Sequence, residues 1–234
     1  MTVEEVHRHL KELADPAIAR HSRRFFKTGR GEYGEGDMFL GIRVPVLRGL
    51  VRQYRAMSLD EIQKLLGSPF HEERLLALLL LVKKYESGDE DERHEVYRLY
   101  FDNLRFVNNW DLVDSSAPYI VGHWLLEKDK KPLYVLAGSD RLWERRVAIL
   151  STFYFIRKER FDDTLAISLL LIHDSEDLIH KAVGWMLREV GKRDTGRLRD
   201  FLKKHYNEMP RTMLRYAIER LPENERKRYL KGLE

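Results

Sequence analysis

Cysteine is absent from the 234 residues. That removes disulfides, thiolate nucleophiles and cysteine-ligated zinc together. Long apolar runs are missing as well. The longest, Leu75 to Val82, falls far short of the roughly 20 residues that span a bilayer. The N-terminus, MTVEEVHRHLKEL, is charged and amphipathic with no apolar signal region, so a cytoplasmic protein without a membrane partner is expected. Neither sign of charge dominates: Lys and Arg number 42 against 38 for Asp and Glu, a formal +4. That excess permits a basic binding face without proving one.

Cofactor signatures are also wanting. The nine histidines are scattered, and His71-Glu72 and His94-Glu95 lack the second histidine of HExxH. There is no P-loop. The glycines of Thr28–Asp37, TGRGEYGEGD, are neither in dinucleotide spacing nor preceded by a strand. No metal or cofactor is expected, and the glycine-rich stretch reads as a flexible connector.

What is present is helix after helix. Apolar residues recur at i, i+3 and i+4, and no stretch alternates as a strand should. Helices are expected over 3–13, 17–27, 45–54, 59–66, 70–85 and 90–104, then from the stretch 107–118 on to Glu127. Further helices follow over 132–137, 141–158, 161–172, 175–192, 195–207, 210–221 and 223–233. Loops are short, so neighbouring helices are expected antiparallel, in one domain over 1–234 and as a monomer. HEERLLALLLLVKKY (from His71), WERRVAILSTFYFIRK (from Trp143) and IHKAVGWMLREVGK (from Ile179) share a weak pattern. Their small residues Ala77, Ala148 and Gly184 lie 71 and 36 positions apart. A period near 36 suits an all-α solenoid of HEAT-like helix pairs, curved around a basic concave groove. An irregular helical bundle is the alternative.

The residues that stand out cluster in VNNWDLVDSSAP, from Val107. Trp110 and Asp114 are four apart and share a helix face, an aromatic plate beside an acid. Trp110 reads equally as a core residue, Asp114 as the cap of a helix starting at Ser115, and Asp111 as a cap one turn earlier or a solvated acid. In 175–192 the core stripe is Ile179, Val183, Met186, Leu187 and Val190. Trp185 falls opposite it with Lys181, Arg188 and Lys192, facing either a ligand or a neighbouring repeat. Arg146 lies in an apolar sector and needs an acid, with Asp114, Glu144 and Asp111 as candidates. Arg43, Arg48, Arg74, Arg145, Lys181, Arg188 and Lys192 recur at the fronts of repeats. Spread over a concave face they would track phosphates; otherwise they are a solvated surface.

Four segments, FLGIRVPVLR (from Phe39), NWDLVDSSAP (from Asn109), LWERRVAIL (from Leu142) and HKAVGWMLREVGK (from His180), occur in order and with matching spacing. On them the chain resembles the AlkD-like DNA alkylation repair family, the HEAT-like-repeat DNA glycosylases. The resemblance runs from about Ala19 to Lys192. It implies excision of N3-methyladenine and N7-methylguanine from double-stranded DNA, without inserting the base into a pocket. It implies that Trp110 and Trp185 face the damaged nucleotide, that Asp114 stabilises the sugar cation and positions water, and that Arg146 supports the aspartate and the backbone. This chain departs from the pattern at Asn109, where a second aromatic is expected, in its longer 28–37 loop, and at His21 in place of a tyrosine. A non-catalytic DNA-binding repeat and a protein-binding helical scaffold are the competing readings.

Overall fold

A computed structural model describes residues 1–233. Among them the chain is helical, and the one β-type contact is an isolated bridge between Met38 and Phe70. No helix among the described residues is long and apolar enough to cross a membrane.

The chain divides into two compact units, Met1–Ser116 and Ala117–Glu234. The first holds α1 (Val3–Glu12), α2 (Pro16–Phe25), α3 (Val44–Tyr54), α4 (Leu59–Leu66), α5 (His71–Ser87), α6 (Glu90–Asp102) and α7 (Trp110–Asp114). The second begins with a π-helical segment, Pro118–Gly122, that runs into α8 (His123–Leu125). It continues with α9 (Lys131–Ala137), α10 (Leu142–Arg157), α11 (Asp162–Leu170), α12 (Asp177–Arg193), α13 (Thr195–His205), α14 (Arg211–Ala217) and α15 (Glu223–Lys231).

Local chemistry sets the helix starts. Thr2 and Asp89 each form a capping box with the glutamate three residues on, and Ser58 accepts from the Glu61 N–H. Asp15 accepts from the Ala17 and Ile18 N–H groups ahead of Pro16. In the first unit α5 is the hub. Residues 71–78 are all buried, and α3, α4, α6 and α7 pack around it. In the second, α10 and α12 are central, flanked by α9, α11, α13 and α14. The three segments with the weak repeat are thus the three central helices. The expected core stripe of α12 is fully buried at Ile179, Val183, Met186, Leu187 and Val190. Gly184 lets α14 close in, because a Cβ there would lie 2.5 Å from the Met213 carbonyl oxygen.

Two expectations differ from the structure. The helix expected to run on to Glu127 is broken: α7 ends at Asp114, and helical structure resumes as the π segment. Pro118 has no N–H to donate, and Gly122 lies so close to Ser151 that a Cβ would meet its carbonyl oxygen at 2.2 Å. The stretch 28–37, expected as a flexible connector, is wound into successive turns. Glu32 N–H donates to Gly29 O at 3.0 Å and Gly34 N–H to Lys27 O at 3.0 Å. The Glu32 and Glu35 carboxylates accept from Gly29 and Gly31, and Asp37 ends the stretch buried.

Candidate functional site

Helix α7 carries Trp110, Asp111 and Asp114, all half-buried. Asn109 starts it: its side-chain oxygen accepts from the Trp110 N–H at 2.9 Å. The Asn109 amide also donates to Asp37 at 3.4 Å, so this fully buried residue ties the wound 28–37 stretch to α7. A phenylalanine at that position has neither bond to offer. The Trp110 face lies on Phe26, centroids 5.4 Å apart and planes at 24°, and Phe25 meets it edge-on at 6.0 Å.

Beneath the rings lies a charged cluster. His71 packs against both Phe26 and Phe39, with centroids 4.8 and 4.7 Å away. Its Nδ1–H donates to Asp37 at 3.0 Å and its Nε2–H to Asp111 at 2.8 Å. Burial pulls the imidazole pKa down, but the bonds to the Asp111 and Asp37 carboxylates outweigh it and raise it to about 9. His71 is therefore cationic at neutral pH. Burial pushes Asp37 up, and its bonds to His71 and the charge of Arg74 hold it below the ordinary carboxylate range. Glu72 accepts from three backbone N–H groups, Leu40 at 2.9 Å, Gly41 at 2.8 Å and Ile42 at 3.2 Å. Gly41 is required there: its φ is +87°, and a Cβ would meet the Asp15 carbonyl oxygen at 2.1 Å.

Asp114 is the last residue of α7, with Ser115 as C-cap, so it does not head a helix. A carboxylate at that end opposes the helix dipole, so helix stability does not explain its place. Below it, Tyr100 and Ser116 share a buried hydrogen bond of 3.0 Å. Burial raises the Tyr100 pKa, and the Asp114 charge adds to the rise.

In the second unit, Arg146 is buried and its Nη1 donates to the Leu178 carbonyl at 2.7 Å, linking α10 to the first turn of α12. Trp185 is half-buried. Its indole N–H donates to Glu189 at 3.3 Å, and Phe153 stands 6.0 Å away. Glu189 also takes Lys192 at 2.6 Å and Arg193 at 3.2 Å, and Arg188 is held by Glu219. Burial raises the Glu189 pKa, but the Lys192 and Arg193 bonds leave it lowered overall. Lys181 pairs with Asp177 at 2.8 Å.

Besides Arg188, two more of the expected phosphate-binding arginines have partners within the protein. Arg74 is buried, paired with Asp37, and donates to the Ser68 carbonyl at 2.9 Å. Arg145 pairs with Asp174 at 2.6 Å and donates to the Ser139 carbonyl at 2.9 Å. Each serine Oγ also accepts an N–H two residues on, Phe70 at 3.0 Å and Arg141 at 3.1 Å. Asp174 repeats the device: it accepts from Glu176 N–H at 2.8 Å, and its carbonyl takes the His180 ring at 2.5 Å. The front of each central helix thus clamps the turn before it. The charge of Arg74 is spent inside the protein; Arg43 and Arg48 are exposed.

Sequence reasoning passed over His71, Asp37 and the Phe25-Phe26 pair. A signal was available for His71, which opens the helix that holds the longest apolar run of the chain. None tied it to an aspartate 34 positions upstream.

The model of a family described as DNA alkylation repair enzyme matches residues 6–221. None of the curated proteins matches. Among solved structures, a protein described as a predicted DNA alkylation repair enzyme from Enterococcus faecalis superposes with a TM-score of 0.68 at 18% identity, over 90% of this chain and 97% of that one. Smu.31 from Streptococcus mutans UA159 gives 0.54 at 17%, covering 91% and 100%. AlkD2 from Streptococcus mutans gives 0.53 at 18%, covering 87% and 97%. At these identities the likeness speaks to the fold.

Proposed function

The chain belongs to the family of DNA alkylation repair enzymes, and from that premise we propose that it is a monofunctional glycosylase acting on cationic alkylated purines, N3-methyladenine and N7-methylguanine, in double-stranded DNA. The observation that carries the reading is the presentation of α7. Trp110 is fixed on a stack of rings over a buried ion cluster, and Asp114 follows one turn later, still half-exposed.

The chemistry asks for little else. The C1′–N bond breaks with its electron pair going to the base, which leaves neutral because alkylation has already made it cationic. No general acid is needed. The sugar becomes oxocarbenium-like; water adds to C1′ and gives up a proton. Asp114 supplies negative charge where positive charge develops, and it positions the water. The Trp110 face contributes cation–π stabilisation of roughly 0.5–2 kcal/mol. In the second unit, Trp185 is assigned to the nucleotide and Arg146 to the backbone. Arg43, Arg48, Lys181, Arg188 and Lys192 are assigned to phosphates, which makes binding salt-dependent. No cofactor enters.

The test is to incubate the protein with methylated duplex DNA and quantify free 3-methyladenine and 7-methylguanine. Release of either base supports the reading. Salt-sensitive binding without release would leave a DNA-binding repeat protein, and no binding at low salt a helical scaffold.

A further inference from the structure

Helix α7 is five residues long. A helix that short has little stability of its own, so its orientation comes from whatever holds it. Leu112 and Val113 are buried and give it an apolar seat. Apolar burial is non-directional; polar ties supply the direction. One oxygen of Asp111 accepts from His71 Nε2 at 2.8 Å and the other from the Leu112 N–H at 2.9 Å, so this carboxylate is fixed at both ends. Asn109, just before the helix, donates to Asp37. Both ties lead back to one joint, because Asp37 also accepts from His71 Nδ1 at 3.0 Å.

His71 faces a carboxylate on each side: Asp37 from the wound 28–37 stretch and Asp111 from α7. Phe26 and Phe39 pack against the ring and bring no charge. On α5 itself, Glu72 is turned onto the backbone of Leu40, Gly41 and Ile42, and Arg74 onto Asp37. A neutral imidazole has one N–H and one lone pair, so it can donate to only one of the two acids. The imidazolium donates to both. His71 is 2% exposed, so water does not replace a donor that is lost. A cation in the first turn of α5 opposes that helix's dipole, so helix stability does not account for it.

We propose that His71, as the imidazolium, is a positioning residue: by holding Asp111 and Asp37 at once it fixes the direction of α7, and with it Trp110 and Asp114. The proposal rests on the glycosylase reading and deepens it by naming a proton on which the site depends. His71 touches no substrate and acts through Asp111. Loss of its proton opens the clamp on one side, and α7 is no longer held in one direction. The reaction as written above uses no general acid, so the catalytic groups give the rate no alkaline limb of their own.

The test is the single-turnover rate of 7-methylguanine release from methylated duplex DNA, from about pH 6.5 to about pH 10.5, with spontaneous loss subtracted and folding followed by circular dichroism. It compares wild type, Asp111→Asn and Asp111→Ala. An asparagine amide either accepts from His71 Nε2 or donates to it, so it closes the clamp in both protonation states. Titration of the substrate affects every variant alike and cancels in a ratio. The wild-type rate divided by that of Asp111→Asn should be level at neutral pH and fall roughly tenfold per pH unit above about 9. Asp111→Ala, which has no tie to offer, should be slower than Asp111→Asn by roughly 10-fold or more at pH 7. A ratio that stays flat, or equal rates for the two variants, overturns the proposal. A second readout needs no DNA. The emission of Trp110, taken as the difference from Trp110→Phe, should shift across the same pH window in wild type and hold steady in Asp111→Asn; absence of that shift also overturns the proposal. If wild type releases no base at any pH, the glycosylase reading fails, and the emission titration decides the clamp by itself.

Discussion

Trp110 lays its face on Phe26 at 5.4 Å above a histidine clamped by a buried and a half-buried aspartate, whereas Trp185 meets Phe153 at 6.0 Å and ties its indole N–H to Glu189 among partly exposed cations. Both rings are half-buried and both have a carboxylate nearby. The means differ. The first ring is oriented by packing on a cluster that folding must desolvate and then satisfy internally. The second is oriented by an acid whose partners, Lys192 and Arg193, can turn to water. Position costs more at Trp110 and is held harder there.

The comparison breaks most visibly at His71. His71→Leu strands Asp37 and Asp111 beside an apolar side chain, and unfolding in urea should lose about 3–5 kcal/mol. Glu189→Gln keeps the shape and leaves cations free to hydrate, with a loss nearer 1 kcal/mol. Equal losses would erase the distinction.

The pH dependence has a definite sign. The imidazole titrates near its ordinary value of 6.5 unfolded and at about 9 folded, so its stabilisation is complete below pH 6.5 and gone above about 9. Over that window wild-type stability should fall by on the order of 3 kcal/mol, and His71→Leu should flatten the curve. Asp37 acts at the other end: its lowered pKa stabilises above the ordinary carboxylate range and is lost as acid is added.

A smaller separation is expected at the two turn clamps. Arg74→Gln leaves buried Asp37 short of a partner and should cost about 3 kcal/mol, while Arg145→Gln, nearer solvent, should cost roughly 1–2 kcal/mol by thermal melting. The smallest effect is at Arg43. Arg43→Gln should leave stability within about 0.5 kcal/mol and reduce the slope of log affinity for duplex DNA against log salt by about 1.

Much of the fold was legible because its causes are local. Capping residues set the starts of α1, α2, α4 and α6, and the α12 stripe was read from spacing alone. The weak repeat marked the three central helices. The site was legible in its residue types and less so in their surroundings. Charge is written in the sequence but its partner is not: Arg74 and Arg145 read as surface cations until Asp37 and Asp174 are brought to them. Asn109 reads as a departure from a family pattern, and becomes the residue that caps α7 and holds Asp37. The break after Asp114 lies just before Pro118, a local signal, while the close approach of Gly122 to Ser151 is a contact across 29 positions that no local pattern encodes.

The central claim is that Asp114 does its work on a sugar turning cationic, and the direct measurement is the single-turnover rate of base release from methylated duplex DNA by wild type and Asp114→Asn. The amide keeps the size and removes the charge. A fall of roughly 10²-fold or more, with duplex affinity and melting temperature unchanged, is the predicted result. Release at the wild-type rate would contradict it.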